Sequence, residues 1–471
     1  MSVLNINIPD VATKKLKLQS ISQGRKLVVS TNWLPLFGFN ENSKVVEKVI
    51  GKNEGMEILL FSDSLFGCEN ERTKKVYSRS YKSRKSNPIE TLLDIRSQNK
   101  INEAFGSSSY VHITFEYGKI YIVPIEDKKE ARIKKAKERE GKIGAFVACS
   151  SGMDALSISK SFNIDCLLEY RPHERRDKNT DKSETGALCA ISNVEVGHLI
   201  NEDIFTVDMD MIGNIVKKKN TSFFSVSTQC SDLSVVKAQS LKEKSLCVNG
   251  DGSIDTTIDM FYDVLRILES TQMPFLLLEN VGQLLNTQYH TFFKARLNRW
   301  GYKVYEKNID ASMLGATQKR KRAYVFATTF DSIPFSFPEE RDNQITSVEF
   351  WDKNIKPFLH ECRDVTHSKS IQEGAKIGRL RTVNRESRHF PTLLKSQSRM
   401  AKDSLVIKDG ERYYFPSEDL ERHIMGIPDE FTLAAVSKTI GSEILGQGVE
   451  YCSHHKIIDE VYKHITLALL A

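Results

Sequence analysis

Short apolar segments with strand character alternate with helix-forming segments from about residue 143 to residue 330 of this 471-residue chain. Strands that alternate with helices are typical of a mostly parallel, doubly wound sheet, because each crossover helix packs on a face of the sheet. The pattern predicts an α/β fold whose ligands bind at the carboxyl ends of the strands. The strand-like segments are Ile143–Ser151, Ile164–Tyr170, Phe223–Ser227, Pro274–Val281 and Arg322–Phe330, and the helix-like segments are Met153–Phe162 and about Ile254–Ser270.

The first 125 residues have a different pattern of apolar and polar residues. Residues 25–39 and 111–125 alternate apolar and polar positions, are rich in aromatics and are split by Gly and Pro, which predicts β-hairpins. Residues 126–142 mix charges of both signs among helix formers, which predicts a charged helical linker. We therefore expect a β-rich N-terminal domain over residues 1–125, then the linker, then an α/β core over residues 143–330.

The composition excludes several classes of protein. The chain is 40% hydrophobic and 27% charged, with a net charge of +6. It has no apolar run of about 18 residues and no secretory signal pattern, so no membrane span or export is expected. Its eight cysteines are scattered without the spacing of zinc ligands, which predicts reduced thiols in the cytoplasm and no metal site. The mildly basic balance permits a nucleic-acid partner.

The basic charge is concentrated in residues 72–85, which hold seven Lys or Arg, no acid and two tyrosines. Basic side chains neutralise phosphates and tyrosines stack on bases, so this segment is a candidate DNA-contacting arm. A solvated surface loop would have the same composition, and the sequence does not separate the two readings. The candidate DNA ligands in the segment are Arg72, Lys74, Lys75, Arg79 and Lys82.

Residues suited to chemistry follow the predicted strands. Cys230 comes just after Phe223–Ser227, although a lone cysteine is more often an inert buried thiol. A small-residue turn with Gly152 follows the first strand, and Glu169 ends the second, where an acid suits the hydroxyls of a ribose. Glu279 leaves a very apolar strand, where desolvation would raise its pKa and favour proton donation at neutral pH.

Three polar residues occupy alternate positions just before the last apolar strand, namely Gln318, Arg320 and Arg322. Alternate residues of an extended segment share one face, so these side chains would grip a planar polar group or phosphates together. A small-residue turn, a thiol, a carboxylic acid and an arginine pair at successive strand ends form a recognisable set.

The set resembles the DNA cytosine-5 methyltransferases. "LLLENVGQLL" resembles the family's ENV segment, "GATQKRKRAYVFA" its QxRxR segment, and "RYYFPSEDLERHIMGIPDEF" its segment near the C-terminus. "MFYDVLRIL" is similar to the helix before ENV, and "ILGQGVEYCSHH" to the closing segment. The motifs occur in the family's order from about residue 143 onward. The resemblance implies the class I fold of methyltransferases that use S-adenosylmethionine.

The resemblance also implies chemical roles for matching positions. Cys230 would add as a thiolate to C6 of a cytosine flipped out of duplex DNA, while Glu279 protonates or hydrogen-bonds N3. Arg322 would contact the base, with Arg320 beside it. The addition makes C5 an enamine that attacks the methyl group of S-adenosylmethionine, and loss of the C5 proton then releases the thiol.

A donor site for S-adenosylmethionine is implied as well. Glu169 corresponds to the family's ribose-binding acid and Tyr170 to the residue that packs on the adenine. Asp203 and Ile204 correspond to the adenine-contacting pair, with Asp208 as a competing position. The other implied donor contacts lie in the first turn, the nucleophile loop and the closing segment, and they are Ser151, Gly152, Met153, Gln229, Gln447 and Gly448.

The sequence departs from the family around the donor and the nucleophile. The proline that precedes the family's cysteine is missing, the glycine-rich first motif keeps only Gly152, and the closing asparagine is Gln447. A catalytically silent or altered-donor relative that binds DNA therefore stays an alternative, as does a tRNA cytosine-5 methyltransferase. The joint presence of Cys230, Glu279 and Arg322 favours an active DNA enzyme.

The family reads its target sequence between the QxRxR and C-terminal segments. Here residues 331–410 would form a small target-recognition region, and residues 411–471 would return to the catalytic core. We expect double-stranded DNA as the partner of a bacterial, plasmid-borne or phage-borne enzyme, and a cognate restriction endonuclease is a further hypothesis. The expected DNA ligands are Gln318, Arg379, Arg381, Arg385 and Arg388.

Residues 24–45 weakly resemble the swapped-hairpin DNA-binding domains of transition-state regulators and toxin–antitoxin proteins. Together with the basic segment that follows, this resemblance favours an added DNA-binding module at the N-terminus. A dimerisation or purely structural role for the N-terminal domain is the alternative.

Overall fold

The structure is a computed structural model, and it describes residues 7–61, 73–81, 83, 89–172, 183–233, 239–249, 254, 256–342 and 344–471. The chain divides into two compact units, residues 1–131 and residues 132–471. Within the described part of the chain, no helix is both long enough and apolar enough to cross a membrane.

The first unit is built from antiparallel β-sheet. Its elements are β1 (Val11–Lys17), β2 (Gln19–Ile21), β3 (Gly24–Ser30), β4 (Lys44–Gly51), β5 (Gly55–Leu60), β6 (Lys74–Lys75), β7 (Tyr77–Ser80), β8 (Ile89–Ile95), α1 (Gln98–Phe105), β9 (Tyr110–Glu116) and β10 (Lys119–Ile125). One sheet has the order β1-β9-β10-β5-β4-β6 and the other the order β2-β3-β8-β7. Both sheets and α1 contribute to one apolar core, so the prediction of a β-rich N-terminal region is confirmed.

The two predicted hairpin segments of this unit differ in outcome. Residues 111–125 form the antiparallel pair β9 and β10, as predicted. Residues 25–39 do not form a hairpin, because after β3 the chain enters a short 3-10 helix over Leu34–Phe37. Pro35 lies in the first turn of that helix, where its missing N–H is tolerated, and Gly38 ends the helix in the left-handed region.

The charged segment 126–142 contains helix α2 (Lys128–Lys137), but the helix is not a solvated linker throughout. The side chain of Arg132 is buried and donates hydrogen bonds to Gln272 Oε1 at 2.9 Å and to the carbonyl of Trp300 at 2.7 Å. Its guanidinium also lies 4.8 Å from the ring centroid of Tyr302. The charged composition of this segment gave no indication that Arg132 is buried and anchors α2 to later residues of the second unit.

The strands and helices of the second unit are as follows. Its strands are β11 (Gly144–Ala148), β12 (Asn163–Leu168), β13 (Leu199–Ile200), β14 (Phe223–Ser227), β15 (Phe275–Val281), β16 (Lys303–Asp310), β17 (Lys321–Thr328), β18 (Arg363–Asp364), β19 (Arg381–Val383), β20 (Leu405–Asp409) and β21 (Arg412–Phe415). Its further helices are α3 (Met153–Ser159), α4 (Thr185–Ile191), α5 (Met209–Lys219), α6 (Gln239–Ser245), α7 (Met260–Thr271), α8 (Gln288–Arg299), α9 (Ser347–Asn354), α10 (Lys369–Lys376), α11 (Glu418–Ile424), α12 (Lys438–Gln447) and α13 (Tyr451–Leu470).

A seven-stranded sheet organises the second unit, in the order β13-β12-β11-β14-β15-β17-β16. The first five strands are mutually parallel, and β16 and β17 form an antiparallel pair at the other edge. Separate apolar clusters bury the two faces of the sheet, which confirms the predicted doubly wound, mostly parallel α/β fold. A smaller sheet has the order β18-β21-β20-β19. Along the chain, its strands come after β17 and before the C-terminal helices α11 to α13.

Helix α7 begins later than the sequence pattern indicates. The prediction placed its start near Ile254, whereas the helix begins at Met260. The Oγ1 of Thr256 and the backbone N–H of Thr257 donate to Asp232 Oδ2 at 3.0 and 2.8 Å. These side-chain contacts compete with helical hydrogen bonds and hold the preceding turn in a non-helical conformation.

Candidate active site

The predicted reactive residues gather where the central strands β14 and β15 of the seven-stranded sheet end and β17 begins. The parallel pairing of β14 and β15 sets Ser227 beside Glu279, and the antiparallel pairing of β15 and β17 sets Val281 beside Arg322. Cys230 follows β14 by three residues, is half-buried, and lies within the electrostatic range of the Arg320 guanidinium. The fold thus brings a thiol, a carboxyl group and two guanidinium groups to neighbouring strand ends.

The loop that carries Cys230 is held by the neighbouring strand end. Asn280 donates from Nδ2 to the carbonyl of Thr228 at 3.0 Å and to its Oγ1 at 2.7 Å, and both residues are buried. The backbone N–H of Gln229 also approaches the sulfur of Met260 at 3.4 Å. The loop lacks the proline of the resembling family, yet the Asn280 amide restrains its backbone two residues before the thiol.

Glu279 is a buried carboxyl group that forms an ion pair with Arg322. Its Oε1 lies 3.0 Å from Nε of Arg322. Burial raises the pKa of Glu279, while the charges of Arg322 and Arg320 oppose that rise. Raising the pKa of a carboxyl group toward neutrality makes it a better proton donor at physiological pH, so this environment suits a general acid.

Arg320 does not have the position of a base-contacting residue. Its side chain is 1% exposed and donates to the backbone carbonyls of Leu393, Gly446 and Gly448 at 2.9, 3.1 and 2.5 Å. Burial and the neighbouring Arg322 lower the pKa of the guanidinium to about 9. We therefore correct its predicted catalytic role to a positioning role, because its hydrogen bonds tie the strand end to two later segments.

Arg320→Met is expected to lower the free energy of unfolding by about 3 kcal/mol or more, because a buried guanidinium is lost and three backbone carbonyls lose their donor. Denaturant unfolding of the whole chain measures this change. Arg388→Met is the matched control, since Arg388 is exposed and its replacement should change stability by less than about 0.5 kcal/mol. Equal stability of both variants would contradict the assigned positioning role.

Gln318 also differs from its predicted role as a DNA ligand. The side chain is fully buried, and its Nε2 donates to the carbonyl of Ile424 at 2.9 Å and contacts the sulfur of Met425 at 3.0 Å. Its Oε1 accepts from the backbone N–H of Leu393 at 3.3 Å. Because the amide is already paired inside the protein, contact with DNA would require these bonds to break, and the residue joins core segments instead.

The candidate donor residues of the first two strands lie together. Gly152 is the residue before α3, with φ of 118°, a conformation that favours glycine, and a Cβ there would lie 3.0 Å from the Cα of Ala190. Ser151 Oγ lies 3.3 Å from Glu169 Oε1. Burial and the nearby Asp154 charge raise the pKa of Glu169 to about 7. Tyr170 follows and is 36% exposed, which leaves its ring accessible for packing on a ligand.

The two competing aspartates of the predicted adenine contact have different surroundings. Asp208 caps helix α5, because its side chain accepts from the backbone N–H groups of Asp210 and Met211. Asp203 lies in the turn after β13, and its charge helps to raise the pKa of the Cys149 thiol at the end of β11. Asp203 is therefore the aspartate that lies near the candidate donor turn, with the buried Ile204 beside it.

The closing segment packs against the first turn. Gln447 is the exposed last residue of α12, whereas Gly448 lies directly against the buried Met153. A Cβ on Gly448 would lie 1.7 Å from Cε of Met153, a distance at which atoms overlap. A side chain at Gly448 would therefore force the end of the buried Met153 side chain to move.

Gly448→Ala is expected to destabilise the protein by about 1–3 kcal/mol, because the added methyl group displaces a buried side chain. The double variant Gly448→Ala/Met153→Ala should be less destabilised than the sum of the two single variants, since the overlap is then relieved. Gly441→Ala in helix α12, which Gly448 follows, is the control, because its Cβ would make only ordinary contacts of 3.4 Å or more with Leu433. Additive losses in thermal unfolding would contradict the packing argument.

The candidate DNA ligands of the first unit are partly paired. Lys74 lies 3.2 Å from Glu47 Oε1, so its positive charge is already paired within the protein. Lys75 and Arg79 are exposed on the short strands β6 and β7. Arg72 and Lys82 lie outside the described residues.

The candidate DNA ligands of the second unit also separate into two groups. Arg379 and Arg388 are exposed. Arg385 pairs with Asp409 at 2.8 Å, and Arg381 is half-buried and donates to a backbone carbonyl at 3.1 Å. Arg379 and Arg388 are therefore the better candidates for phosphate contact among the four arginines.

Three residues of the site were missed by the reasoning from sequence. Asp154 is buried at the start of α3, and Ser227 lies between it and Glu279. Asn280 restrains the nucleophile loop. The only sequence signal was local, because Asn280 follows Glu279 directly and Asp154 lies in the first turn of a helix that begins at a strand end.

Comparison with known proteins identifies the same part of the chain. The sequence profile described as C-5 cytosine-specific DNA methylase matches residues 199–463, which is more than half of the chain. The matched stretch contains Cys230, Glu279, Arg320 and Arg322, and it begins after the donor residues of the first two strands.

Individual relatives match shorter stretches. The type II methyltransferase M.MspI of Moraxella is 28% identical over 226 residues, which cover 45% of this chain and 50% of that protein. The type II methyltransferase M.BsuFI of Bacillus subtilis is 30% identical over 195 residues, which cover 38% of this chain and 46% of that protein. The chain thus spans about half the length of these curated relatives.

Among solved structures, the methyltransferase EhMeth of Entamoeba histolytica superimposes with a TM-score of 0.49 at 13% identity, over 69% of this chain and 99% of that chain. The family assignment depends instead on the profile match over residues 199–463. This stretch covers the loop that carries Cys230, the ENV and QxRxR segments and most of the C-terminal helices. The chain belongs to the family of C-5 cytosine-specific DNA methylases.

Proposed function

We propose that the protein methylates C5 of cytosine in double-stranded DNA through a covalent bond between Cys230 and C6 of a flipped base. The observation that carries this proposal is the meeting of Cys230, Glu279 and Arg322 at neighbouring strand ends, with Arg322 Nε 3.0 Å from the Glu279 carboxyl group. Three groups with complementary chemistry at neighbouring strand ends favour a catalytic role over a role in DNA binding without catalysis.

Each of these side chains has a separate task. The Cys230 thiolate attacks C6, which converts the unreactive C5 into a nucleophilic enamine. Glu279 holds a proton at N3 of the base, so the negative charge that develops during the attack is neutralised. Arg322 keeps the Glu279 carboxyl group in place and presents its remaining N–H donors to the base. Arg320 orders the strand end behind them.

The residues at the first two strand ends fit S-adenosylmethionine as the methyl donor. A buried carboxylate at Glu169 suits the ribose diol, Asp203 and Ile204 suit the adenine, and the tight turn at Gly152 permits a close backbone approach. When bound, S-adenosylmethionine supplies an electrophilic methyl group. Gly448 borders the same turn, because its missing side chain leaves room for Met153.

The DNA partner is proposed to contact the exposed arginines and the first unit. Flipping a base costs a few kcal/mol, which contacts to phosphates and to the base itself have to offset. Arg379 and Arg388 in the second unit, and Lys75 and Arg79 in the first, are exposed and would make the phosphate contacts. The type II names of the relatives support a further proposal, that a restriction endonuclease shares the target sequence.

Mass spectrometry of nucleosides tests the proposed function. The protein is incubated with S-adenosylmethionine that carries a deuterated methyl group and, in separate reactions, with mixed-sequence duplex DNA or with tRNA. Each nucleic acid is then digested to nucleosides. The proposal predicts labelled 5-methylcytosine. Label in tRNA instead of DNA would assign the protein to RNA, a different mass on cytosine would indicate another donor, and no modified base would support a silent DNA-binding protein.

A further inference from the structure

Asp232 lies two residues after Cys230 and accepts hydrogen bonds from four donors. Its Oδ2 accepts from Oγ1 of Thr256 at 3.0 Å, from the backbone N–H of Thr257 at 2.8 Å and from Oγ1 of Thr257 at 3.3 Å. Its Oδ1 accepts at 3.1 Å from Oγ of Ser245, the last residue of α6. The two threonines lie in the turn before α7, so one carboxyl group joins the turn that carries Cys230 to two other segments.

Further contacts restrain the backbone next to the thiol. The backbone N–H of Leu233 donates to the carbonyl of Cys230 at 3.1 Å, which closes a turn over residues 230–233. The Leu233 side chain is buried in an apolar cluster of the sheet, and Ser231 Oγ lies 3.2 Å from Thr257 Oγ1. Each residue that follows Cys230 in this turn is therefore tied to another part of the second unit.

The thiol lies between two anchors. Before it, Asn280 of β15 donates to the backbone carbonyl and the hydroxyl of Thr228. After it, Asp232 accepts from Thr256 and Thr257, which lie 24 and 25 residues further along the chain. A loop that is fixed on both sides of a nucleophile samples fewer conformations, which favours a geometry ready for attack.

We propose that Asp232 is a positioning residue that fixes the Cys230 thiol for attack by accepting hydrogen bonds from the turn before α7. The proposal rests on the function proposed above, in which Cys230 adds to C6 of cytosine. Asp232 acts through the backbone of residues 230–233 and exchanges no proton with the base. A misplacement of about 1 Å can lower a reaction rate about 100-fold, so a restraint on this turn has a measurable effect on chemistry.

Two substitutions separate the hydrogen bonds of Asp232 from its charge. Asp232→Ala removes all four acceptor contacts. Asp232→Asn keeps an oxygen that accepts from Thr256 and Thr257, and its Nδ2 group donates to the Ser245 hydroxyl. The Ser245 proton can then go to the carbonyl of Lys242, which lies 2.7 Å from its Oγ. The asparagine variant therefore preserves the restraint without the negative charge.

Single-turnover methyl transfer to duplex DNA tests the proposal. Asp232→Ala should lower the rate constant at least about tenfold, while the dissociation constants for DNA and S-adenosylmethionine stay within about twofold of wild type. Asp232→Asn should keep the rate constant within about threefold of wild type. The amplitude of adduct formation on DNA that carries 5-fluorocytosine measures the fraction of active protein. A merely structural residue would lower that fraction and leave the rate constant per active site unchanged.

Asp127→Ala is the matched control. Asp127 is an exposed carboxylate just before α2 and accepts from the backbone N–H groups of Lys129 and Glu130 at 2.8 and 3.3 Å. Its replacement also removes hydrogen bonds near the start of a helix, and the rate constant should stay within about twofold of wild type. If Asp232→Ala does not fold, the double variant Thr256→Val/Thr257→Val removes both hydroxyl donors at nearly constant size and should lower the rate constant at least about threefold.

The outcomes distinguish this inference from the proposed function. Methylated DNA from the wild-type protein, together with an unchanged rate constant per active site in Asp232→Ala or in the double threonine variant, would overturn the role of Asp232 and leave the proposed function standing. Equal losses in Asp232→Ala and Asp232→Asn would also overturn it, because the charge would then be responsible. Absence of methylated DNA from the wild-type protein would overturn the proposed function and this inference with it.

Discussion

Cys230→Ser is expected to lower the rate of methyl transfer by more than about 10⁴-fold while leaving the fold unchanged. The serine hydroxyl is a much weaker nucleophile than a thiolate, and without attack on C6 the C5 position stays unreactive. Cys230 is half-buried and lies outside the apolar clusters of the core, so its replacement removes no large packing contact. Single-turnover transfer of labelled methyl groups to duplex DNA measures the loss.

Cys247→Ser is the matched control for this experiment. Cys247 is an exposed free cysteine of the same unit, and its replacement should leave the rate within about twofold of wild type. Thermal unfolding of both variants should match that of the wild-type protein. A Cys230→Ser variant that retained methyl transfer would show that the reaction does not proceed through this thiol.

Glu279→Gln is expected to lower the maximal rate by about 10²–10⁴-fold, the range over which general acids contribute. Glutamine has nearly the same shape and can still donate a hydrogen bond from its amide, but it cannot transfer a proton to N3. The loss should appear in the single-turnover rate, while the affinity for duplex DNA changes little, because the proton is needed only as charge develops.

The control for Glu279→Gln is Glu306→Gln. Glu306 is an exposed carboxylate on β16 that pairs with Lys294 at 2.9 Å, so its replacement should leave the rate nearly unchanged. The Glu279→Gln variant also loses the ionic part of the contact with Arg322, and a thermal unfolding scan separates that effect from chemistry. A rate within about threefold of wild type would mean that Glu279 is not the general acid.

Much of the fold could be predicted from local pattern. The strands β11, β12, β14, β15 and β17 lie where runs of apolar residues predicted them, because a strand buried on both faces has to be apolar throughout. The start of α7 could not be predicted, since it depends on Asp232, which is distant in sequence. The buried position of Arg132 was equally hidden, because its partners come from two later segments.

The sequence predicted those residues of the candidate site that belong to recognisable motifs, but not the contacts that each of them makes. Alternation in an extended segment placed Gln318, Arg320 and Arg322 on one face, but it could not show which side chain reaches the base. In the structure these side chains differ, because backbone carbonyls accept from Arg320 whereas Arg322 pairs with Glu279. The sequence pattern gave no indication of Asp154, because its hydrogen bond from Ser227 joins residues that are far apart in the chain.

A covalent trapping experiment tests the central claim most directly. The protein is mixed with S-adenosylmethionine and duplex DNA that carries 5-fluorocytosine, and a denaturing gel then reveals any adduct. Fluorine at C5 cannot leave as a proton does, so an enzyme that attacks C6 and transfers the methyl group is held on the DNA. The account predicts an adduct with the wild-type protein that disappears with Cys230→Ser. Methylation of ordinary cytosine without any adduct on the fluorinated DNA would contradict it.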